Sequence, residues 1–284
     1  MSPAEPFEAA SLILARDGAS GPLIYMVRRH PRSAFMANAH VFVGGRLDPA
    51  DVEPEVQRRC SGLSAEQAAG RLGTDGARAI GLYVAAIREC FEEAGVLLAD
   101  DPLPPPEELA EMRRRLAAKE ASFAALLAER SLALALDRLR YLDRWCTPEV
   151  EPRRYDTRFF VCRAPEAQRP TCDPHETTSG EWLSAEDALE RNRRHELVLP
   201  PPTLTLLERL RGKRSVQEIL DAAPDAPVPC TTPRLLLGVG EITLLLPGDH
   251  RYDDPSSEAG PEHYVVLRDG QWSRVCKQEA EPEQ

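Results

Sequence analysis

The segment 88–96 restricts what this chain can fold into more than any other part of the sequence. It reads Arg-Glu-Cys-Phe-Glu-Glu-Ala-Gly-Val. At about 100° per residue, Glu92 and Glu93 fall within about 60° of Glu89 on a helix. We therefore predict an amphipathic helix over about 78–94 with one narrow acidic side. The opposite side carries four apolar residues: Ile80, Val84, Ile87 and Phe91.

Three carboxylates on one side of a helix have two interpretations. Two carboxylates about 6 Å apart repel each other by roughly 2–3 kcal/mol at an effective dielectric constant of about 20. A divalent cation removes this penalty, and hard oxygen ligands suit magnesium or manganese. The alternative is an ordinary solvated helix face, which is the commoner role of acidic residues on helices.

The flanking sequence favours the metal site. An apolar run at 41–43 predicts a strand, and Gly44-Gly45 after it permits a close approach of the backbone. Gly95 stands where a helix C-cap glycine is expected, and 96–98 is a new apolar run. A strand, a diglycine loop, an acidic helix and a glycine stop, in this order, are typical of a site for phosphate and metal.

These residues resemble the box of the Nudix hydrolases, G-x5-E-x7-R-E-U-x-E-E-x-G-U, where U is a bulky apolar residue. The second half of the box matches from Arg88 to Val96, with Cys90 at the first U. From Gly45 the five-residue spacing leads to Asp51, where the family usually has glutamate. Between Asp51 and Arg88 lie 36 residues instead of seven, so about 29 residues are inserted.

An insertion within the box is similar to one Nudix branch, that of the peroxisomal mammalian coenzyme A diphosphatases and their bacterial relatives. The similarity runs from about residue 8 to about residue 210. One departure is Val43 before the diglycine, where the family commonly has proline, and we expect it to change loop stiffness more than chemistry. Five further segments resemble this branch: 36–42, 44–48, 145–148, 153–160 and 199–203.

The resemblance implies the Nudix α/β/α sandwich, an α/β fold with a mixed central sheet between helices. We expect the Nudix domain to span residues 8–212, with helical insertions at about 52–76 and 104–140. A C-terminal extension of a short helix and strands should follow at 213–276. The last residues, 277–284, are expected to form a mobile tail.

In the family, magnesium ions (or manganese) bridge the enzyme and a diphosphate, and water attacks one phosphorus. Carried over by position, Glu89, Glu92 and Glu93 are expected to be metal ligands, together with the Gly45 carbonyl. The carboxylate that takes the proton is expected to be Glu92, Glu93 or the loop residue Glu176. For Glu176, an ordinary place in a surface loop is an equal alternative.

Three other box residues are expected to have structural roles. Arg88 should pair with Glu92 or with Asp51 and orient the loop, and Gly95 should end the helix. Substrate phosphates have four candidate partners among the arginines, for which ordinary solvation or salt bridges within the strands are the alternatives. These candidates are Arg28, Arg29, Arg32 and Arg154.

The leucines of 106–140 also have two interpretations. They form an apolar groove for an acyl or pantetheine chain, or they pack on the sheet or in a dimer contact. A homodimer is therefore one possibility that the sequence leaves open.

Composition excludes several function classes. The net charge is −11, from 35 basic and 46 acidic residues, which argues against nucleic acid as a partner. The seven cysteines form no C-x-x-C pair, so we expect a reduced, cytoplasmic protein without a zinc site. No segment reads as a signal peptide or a membrane span, so no membrane partner is expected.

The resemblance implies magnesium-dependent hydrolysis of coenzyme A or acyl-coenzyme A to 3′,5′-ADP and a 4′-phosphopantetheine product. A Nudix hydrolase of NADH, ADP-ribose or a nucleotide sugar is one alternative. A nucleotide-sensing module without catalysis is another, and the presence of all three box glutamates argues against it.

Overall fold

A computed structural model describes residues 3–33, 36–173, 177–237 and 241–277. Two predictions lie outside these ranges: the loop carboxylate Glu176 and the C-terminal tail after Lys277. No helix among the described residues is long and apolar enough to cross a membrane.

Strands and helices come in runs along the part of the chain that the structure describes: four strands, a mainly helical stretch, four more strands, three helices and four final strands. The strands are β1 (Phe7–Gly18), β2 (Gly21–Arg29), β3 (His40–Val41), β4 (Val43–Arg46), β5 (Cys60–Ser61), β6 (Leu134–Ala135), β7 (Arg140–Cys146), β8 (Tyr155–Arg163), β9 (Thr177–Leu183), β10 (Arg234–Leu237), β11 (Ile242–Leu245), β12 (Glu262–Arg268) and β13 (Gln271–Lys277). The α-helices are α1 (Pro54–Gln57), α2 (Ala65–Leu72), α3 (Gly76–Ala94), α4 (Pro106–Ala117), α5 (Phe123–Glu129), α6 (Ala185–Arg193), α7 (Pro201–Leu210) and α8 (Val216–Asp221). Two 3-10 helices span Pro49–Val52 and Leu136–Arg138.

The central sheet is mixed, as predicted. Its strands follow the order β3-β2-β1-β8-β7, with β4 paired to β1 and β9 paired to β2. The pair β1–β8 is parallel, and the other pairs are antiparallel. Residue Ala10 of β1 lies opposite Gly45 of β4, so the diglycine is held within the sheet.

Side chains of β1 alternate between two buried clusters, one on each face of the sheet. Leu12 and Leu14 belong to the cluster that contains α3. Ile13 belongs to the cluster that contains α6 and α7. Helices therefore cover both faces, and the predicted α/β/α arrangement is confirmed.

The acidic helix α3 is well defined at both ends. The Asp75 carboxylate accepts a hydrogen bond from the backbone N–H of Arg78 at 3.1 Å, which caps the first turn. Gly95 ends the helix in the left-handed region, at φ 67°. This C-cap places the acidic strip in the last two turns of the helix.

The chain after α8 forms a second, four-stranded antiparallel sheet in the order β10-β11-β12-β13. The side-chain amide of Asn192 donates to the Trp272 carbonyl at 3.1 Å. The amide of Gln271 donates to the Leu197 carbonyl at 3.1 Å. Trp272 is also buried in the same cluster as α6 and α7, so this C-terminal sheet is packed onto the main domain.

Candidate active site

The diglycine of β4 and the acidic side of α3 are in direct contact. The backbone N–H of Gly44 donates to Glu93 Oε2 at 2.9 Å, and Glu93 is buried. A Cβ atom added to Gly45 would overlap the Glu89 carboxylate. Glycine is therefore required here because the backbone and the two carboxylates share a small space.

Arg88 connects the two halves of the interrupted box. Its Nε and Nη2 each donate to the Asp51 carboxylate at 2.8 Å. Its Nη1 donates to Glu89 at 2.8 Å and to Glu92 at 3.0 Å. The sequence left open whether Arg88 pairs with Glu92 or with Asp51, and it pairs with both.

The charge balance of this network favours the ionised state of the arginine. Burial lowers the pKa of Arg88, but the hydrogen bonds to Asp51 and the charges of Glu89 and Glu92 outweigh it and raise the pKa above its ordinary value. A fixed positive charge thus orients both glutamates. Asp51 reaches Arg88 because the 3-10 helix Pro49–Val52 precedes the inserted residues.

A cleft of about 1110 Å³ opens beside the glutamates. Glu89, Glu93 and the diglycine line one part of it. Glu92 is about 30% exposed but does not line the cleft. The remaining lining comes from strands β1 and β8, from Arg29 and residues between 36 and 46, from the segment 145–151, from 200–203 and from the C-terminal sheet.

Comparison with known proteins decides the family. The family model described as the NUDT19 Nudix domain matches residues 8–210. This chain belongs to that Nudix family.

Relatives and solved structures agree with this assignment. A protein of Gallus gallus named acyl-coenzyme A diphosphatase NUDT19 is 30% identical, over 92% of this chain and 84% of the relative. A protein of Homo sapiens with the same name is 29% identical, over 84% of this chain and 74% of the relative. The crystal structure of a Nudix hydrolase from Alicyclobacillus acidocaldarius has a TM-score of 0.65 at 29% identity, covering 79% of this chain and 99% of that one.

The donor set of this Nudix site fits a divalent cation in its chemistry. Within the described ranges, no group of three or more histidine, cysteine or acidic side chains is arranged as a complete metal cage. Arg88 instead lies between Glu89 and Glu92. Magnesium is commonly bound by one or two carboxylates plus water and substrate phosphates. The cleft offers two such carboxylates, Glu89 and Glu93.

The four arginines that the sequence proposed for substrate differ in position. Arg29 lines the Nudix cleft, and its Nε is buried without a hydrogen-bond partner among the described residues. Arg28 is exposed and donates to Asn38 at 3.2 Å, and Arg32 is exposed outside the cleft lining. Only Arg29 has the position expected of a phosphate ligand.

Arg154 has a different environment from the other three. Its guanidinium is buried and donates to the carbonyls of Thr147, at 3.0 Å, and Ala4, at 2.8 Å. It also approaches Cys146 Sγ at 3.4 Å. These contacts join the N-terminal segment to the loop after β7, and they give no support to a role in substrate binding.

The helical insertion at 104–140 does not border the cleft. Phe123, Leu126 and Leu127 are buried in the cluster that contains α3. The Phe123 ring lies 6.3 Å from that of Phe91, measured between centroids. Of the two interpretations of these leucines, the structure supports packing in the core and excludes a wall of this cleft.

The sequence analysis did not assign the residues of the C-terminal sheet that line the cleft. The sequence signal consists of three short apolar runs, 235–237, 242–246 and 264–267, which predict strands without indicating what they contact. The lining side chains from this sheet are mostly apolar: Leu235, Leu236, Ile242, Leu244, Leu267 and Trp272.

Proposed function

We propose that this Nudix enzyme hydrolyses the diphosphate of coenzyme A or of an acyl-coenzyme A. The products would be 3′,5′-ADP and 4′-phosphopantetheine or its acyl derivative. The observation that carries the proposal is a single cleft that joins the box glutamates to a long apolar surface. The names of the two relatives, acyl-coenzyme A diphosphatase, point to the same substrate.

In this proposal Glu89 and Glu93 hold the cation together with the Gly45 carbonyl, and Glu92 supports them from the edge of the site. When bound, magnesium or manganese neutralises diphosphate charge and lowers the pKa of a bound water. Arg88 keeps Glu89 and Glu92 oriented through the shared Nη1 donor. We assign the proton acceptor to Glu93 rather than Glu92, because Glu93 lines the cleft and Glu92 does not.

Arg29 is the proposed partner of a substrate phosphate. A buried guanidinium nitrogen without a partner is unfavourable until an acceptor arrives. A phosphate oxygen supplies such an acceptor and pairs well with the planar guanidinium. Arg28 and Arg32 remain sequence predictions, as does the loop carboxylate Glu176.

The test is a substrate panel with the purified chain and magnesium or manganese. Coenzyme A, octanoyl-coenzyme A, NADH, ADP-ribose, a nucleotide sugar and nucleoside triphosphates should be compared, with products separated by chromatography. We expect 3′,5′-ADP from the two coenzyme A substrates at the highest kcat/KM. Faster turnover of NADH or ADP-ribose would contradict the substrate, and no turnover of any compound would contradict catalysis.

A further inference from the structure

We propose that the C-terminal sheet, β10–β13, binds the acyl-pantetheine arm of the substrate. This inference rests on the proposed function and adds where the arm lies. The sheet begins at Arg234 and so lies outside residues 8–210, which the Nudix family model matches. The segment that would recognise the acyl group is therefore separate from the segment that carries out hydrolysis.

Apolar side chains from two parts of the molecule line the cleft. The C-terminal sheet contributes aliphatic side chains and the Trp272 indole to the cleft. The main domain also contributes apolar side chains to the cleft: Trp145, Pro148, Val150 and Phe159. An acyl-pantetheine arm is long and uncharged, with two amides and a hydroxyl in the pantetheine part and an apolar acyl chain at its end. The acyl chain suits a cleft lined by such side chains.

Positive and negative side chains are unevenly distributed along the cleft. Among the described lining residues, the cationic side chains are Arg29 and Arg46, and both come from the strands β2 and β4 near the glutamates. The charged lining residues at the apolar end are Glu151, Glu241 and Asp269. Arg268 neutralises Glu241 through two hydrogen bonds, at 2.7 and 3.0 Å, so the negative charge there is that of Glu151 and Asp269. Like charges repel a phosphate group there, so the doubly phosphorylated nucleotide belongs at the arginine end and the uncharged arm at the sheet.

Two large apolar side chains are exposed to solvent at the cleft. Ile242 is 47% exposed and Val150 is 65% exposed, and both line it. They are two of only three large apolar side chains recorded as exposed within the described ranges. Covering them with an acyl chain removes apolar surface from water, which is favourable.

The C-terminal sheet is held in place on the main domain by specific contacts. The C-terminal sheet is attached by the hydrogen bonds of Asn192 and Gln271 and by the ion pair of Arg274 with Glu208, at 2.8 Å. Val265 in β12 is fully buried. A preformed wall binds a flexible chain at a lower entropic cost than one that must first be ordered.

The acyl chain length provides the first test. If the walls cover the chain, kcat/KM rises from coenzyme A to octanoyl-coenzyme A by up to roughly fourfold for each methylene covered. The increase should stop when the cleft is full. Equal kcat/KM for both substrates would overturn the inference while leaving coenzyme A hydrolysis, and thus the proposed function, intact.

Ile242→Ser provides the second test, because this side chain is exposed and its replacement should not prevent folding. We expect the ratio of kcat/KM for octanoyl-coenzyme A to that for coenzyme A to fall about tenfold, as contacts with one or two methylenes are lost. Val275→Ser is the matched control, since Val275 lies on the same sheet but not in the cleft. Thermal unfolding of both variants separates lost contacts from lost structure.

Three results distinguish the possible failures. An unchanged ratio in Ile242→Ser, with active enzyme, overturns the acyl subsite alone. A weaker inhibition by 3′,5′-ADP in this variant would mean that the sheet binds the nucleotide instead, and would overturn the orientation. Absence of coenzyme A hydrolysis by the unaltered chain would overturn the proposed function itself.

Discussion

The helical insertion 104–140 and the C-terminal sheet 234–277 are both rich in leucine, yet only one of them borders the cleft. Leu126 and Leu127 of the insertion are fully buried against the layer that contains α3. In the sheet, Leu244 is buried while Ile242 remains about half exposed. The insertion therefore packs in the layer of α3, away from the cleft, whereas the sheet contributes apolar surface to the cleft.

An apolar sequence pattern therefore predicts that a segment is buried, but it does not predict which part of the molecule the segment packs against. Both regions satisfy the same rule, that apolar side chains leave water. What separates them is the face of the central sheet on which each packs. The insertion packs in the cluster that contains α3 but lies outside the cleft lining. The C-terminal sheet packs in the cluster that contains α6 and α7 and does line the cleft, together with Glu89 and Glu93 of α3.

The largest effect on activity should come from changing a box glutamate, because it should lower kcat equally for substrates with and without an acyl chain. We expect Glu93→Gln to lower kcat by about 10²–10⁴-fold with every substrate, because the variant removes a carboxylate from the reaction centre. The measurement is kcat for coenzyme A and octanoyl-coenzyme A at saturating metal. Glu166→Gln is the control, since Glu166 lies exposed in a loop outside the cleft lining. If kcat stays within threefold of the unaltered enzyme, Glu93 has no catalytic part.

The next largest effect should be on stability, and it tests the helical insertion alone. Leu127→Ala should reduce the free energy of unfolding by about 2–5 kcal/mol, because it leaves a cavity in a fully buried position. Urea unfolding measures this loss. Below the unfolding transition, the ratio of kcat/KM between octanoyl-coenzyme A and coenzyme A should not change. A shifted ratio would break the comparison, because it would give the insertion a role in acyl recognition.

Much of the geometry of the candidate site was predictable because its sequence pattern is local. The acidic side of α3 and its Gly95 end both follow from helical spacing within 78–95. The pairing of Arg88 with Asp51 was one of two predicted alternatives, since it depends on how the inserted residues fold back. The wall of the C-terminal sheet was not predictable, because it depends on strand pairing and on docking contacts such as Asn192 to Trp272.

Low pH should destabilise the segment to which the C-terminal sheet is attached. Burial lowers the pKa of His40 to about 4, and the charge of Arg28 adds to this shift. The ring nitrogen Nδ1 of His40 accepts a hydrogen bond from the backbone N–H of Val198 at 3.4 Å, and the carbonyl of the neighbouring Leu197 accepts from Gln271 of β13. Protonation of His40 would therefore disturb the segment to which the sheet is attached.

The direction of the pH effect follows from the two protonation states. Above pH 6.5 His40 is neutral in both the folded and unfolded chain, so it contributes no pH dependence. As the pH falls from 6.5 to 4, only the unfolded chain gains this proton, and stability falls by about 2–3 kcal/mol. His40→Gln should show a flatter dependence in urea unfolding. Equal slopes for the two proteins would refute this role of His40.

The smallest effect should come from the ion pair that fastens the sheet. Arg274 Nη1 donates to Glu208 at 2.8 Å, and both side chains are about a quarter exposed, so the pair is partly screened. Arg274→Ala should cost about 1 kcal/mol or less, because Asn192 and Gln271 still hold β13.

We nevertheless expect KM for octanoyl-coenzyme A to rise about two- to fivefold with kcat unchanged, since a loosened wall contributes less binding energy to substrate and transition state alike. Arg163→Ala, which removes a surface ion pair with Asp17, is the control. A lower kcat with unchanged KM would show that the sheet also positions the reacting diphosphate. The sheet would then belong to the reaction centre, and its separation from the glutamates would no longer hold.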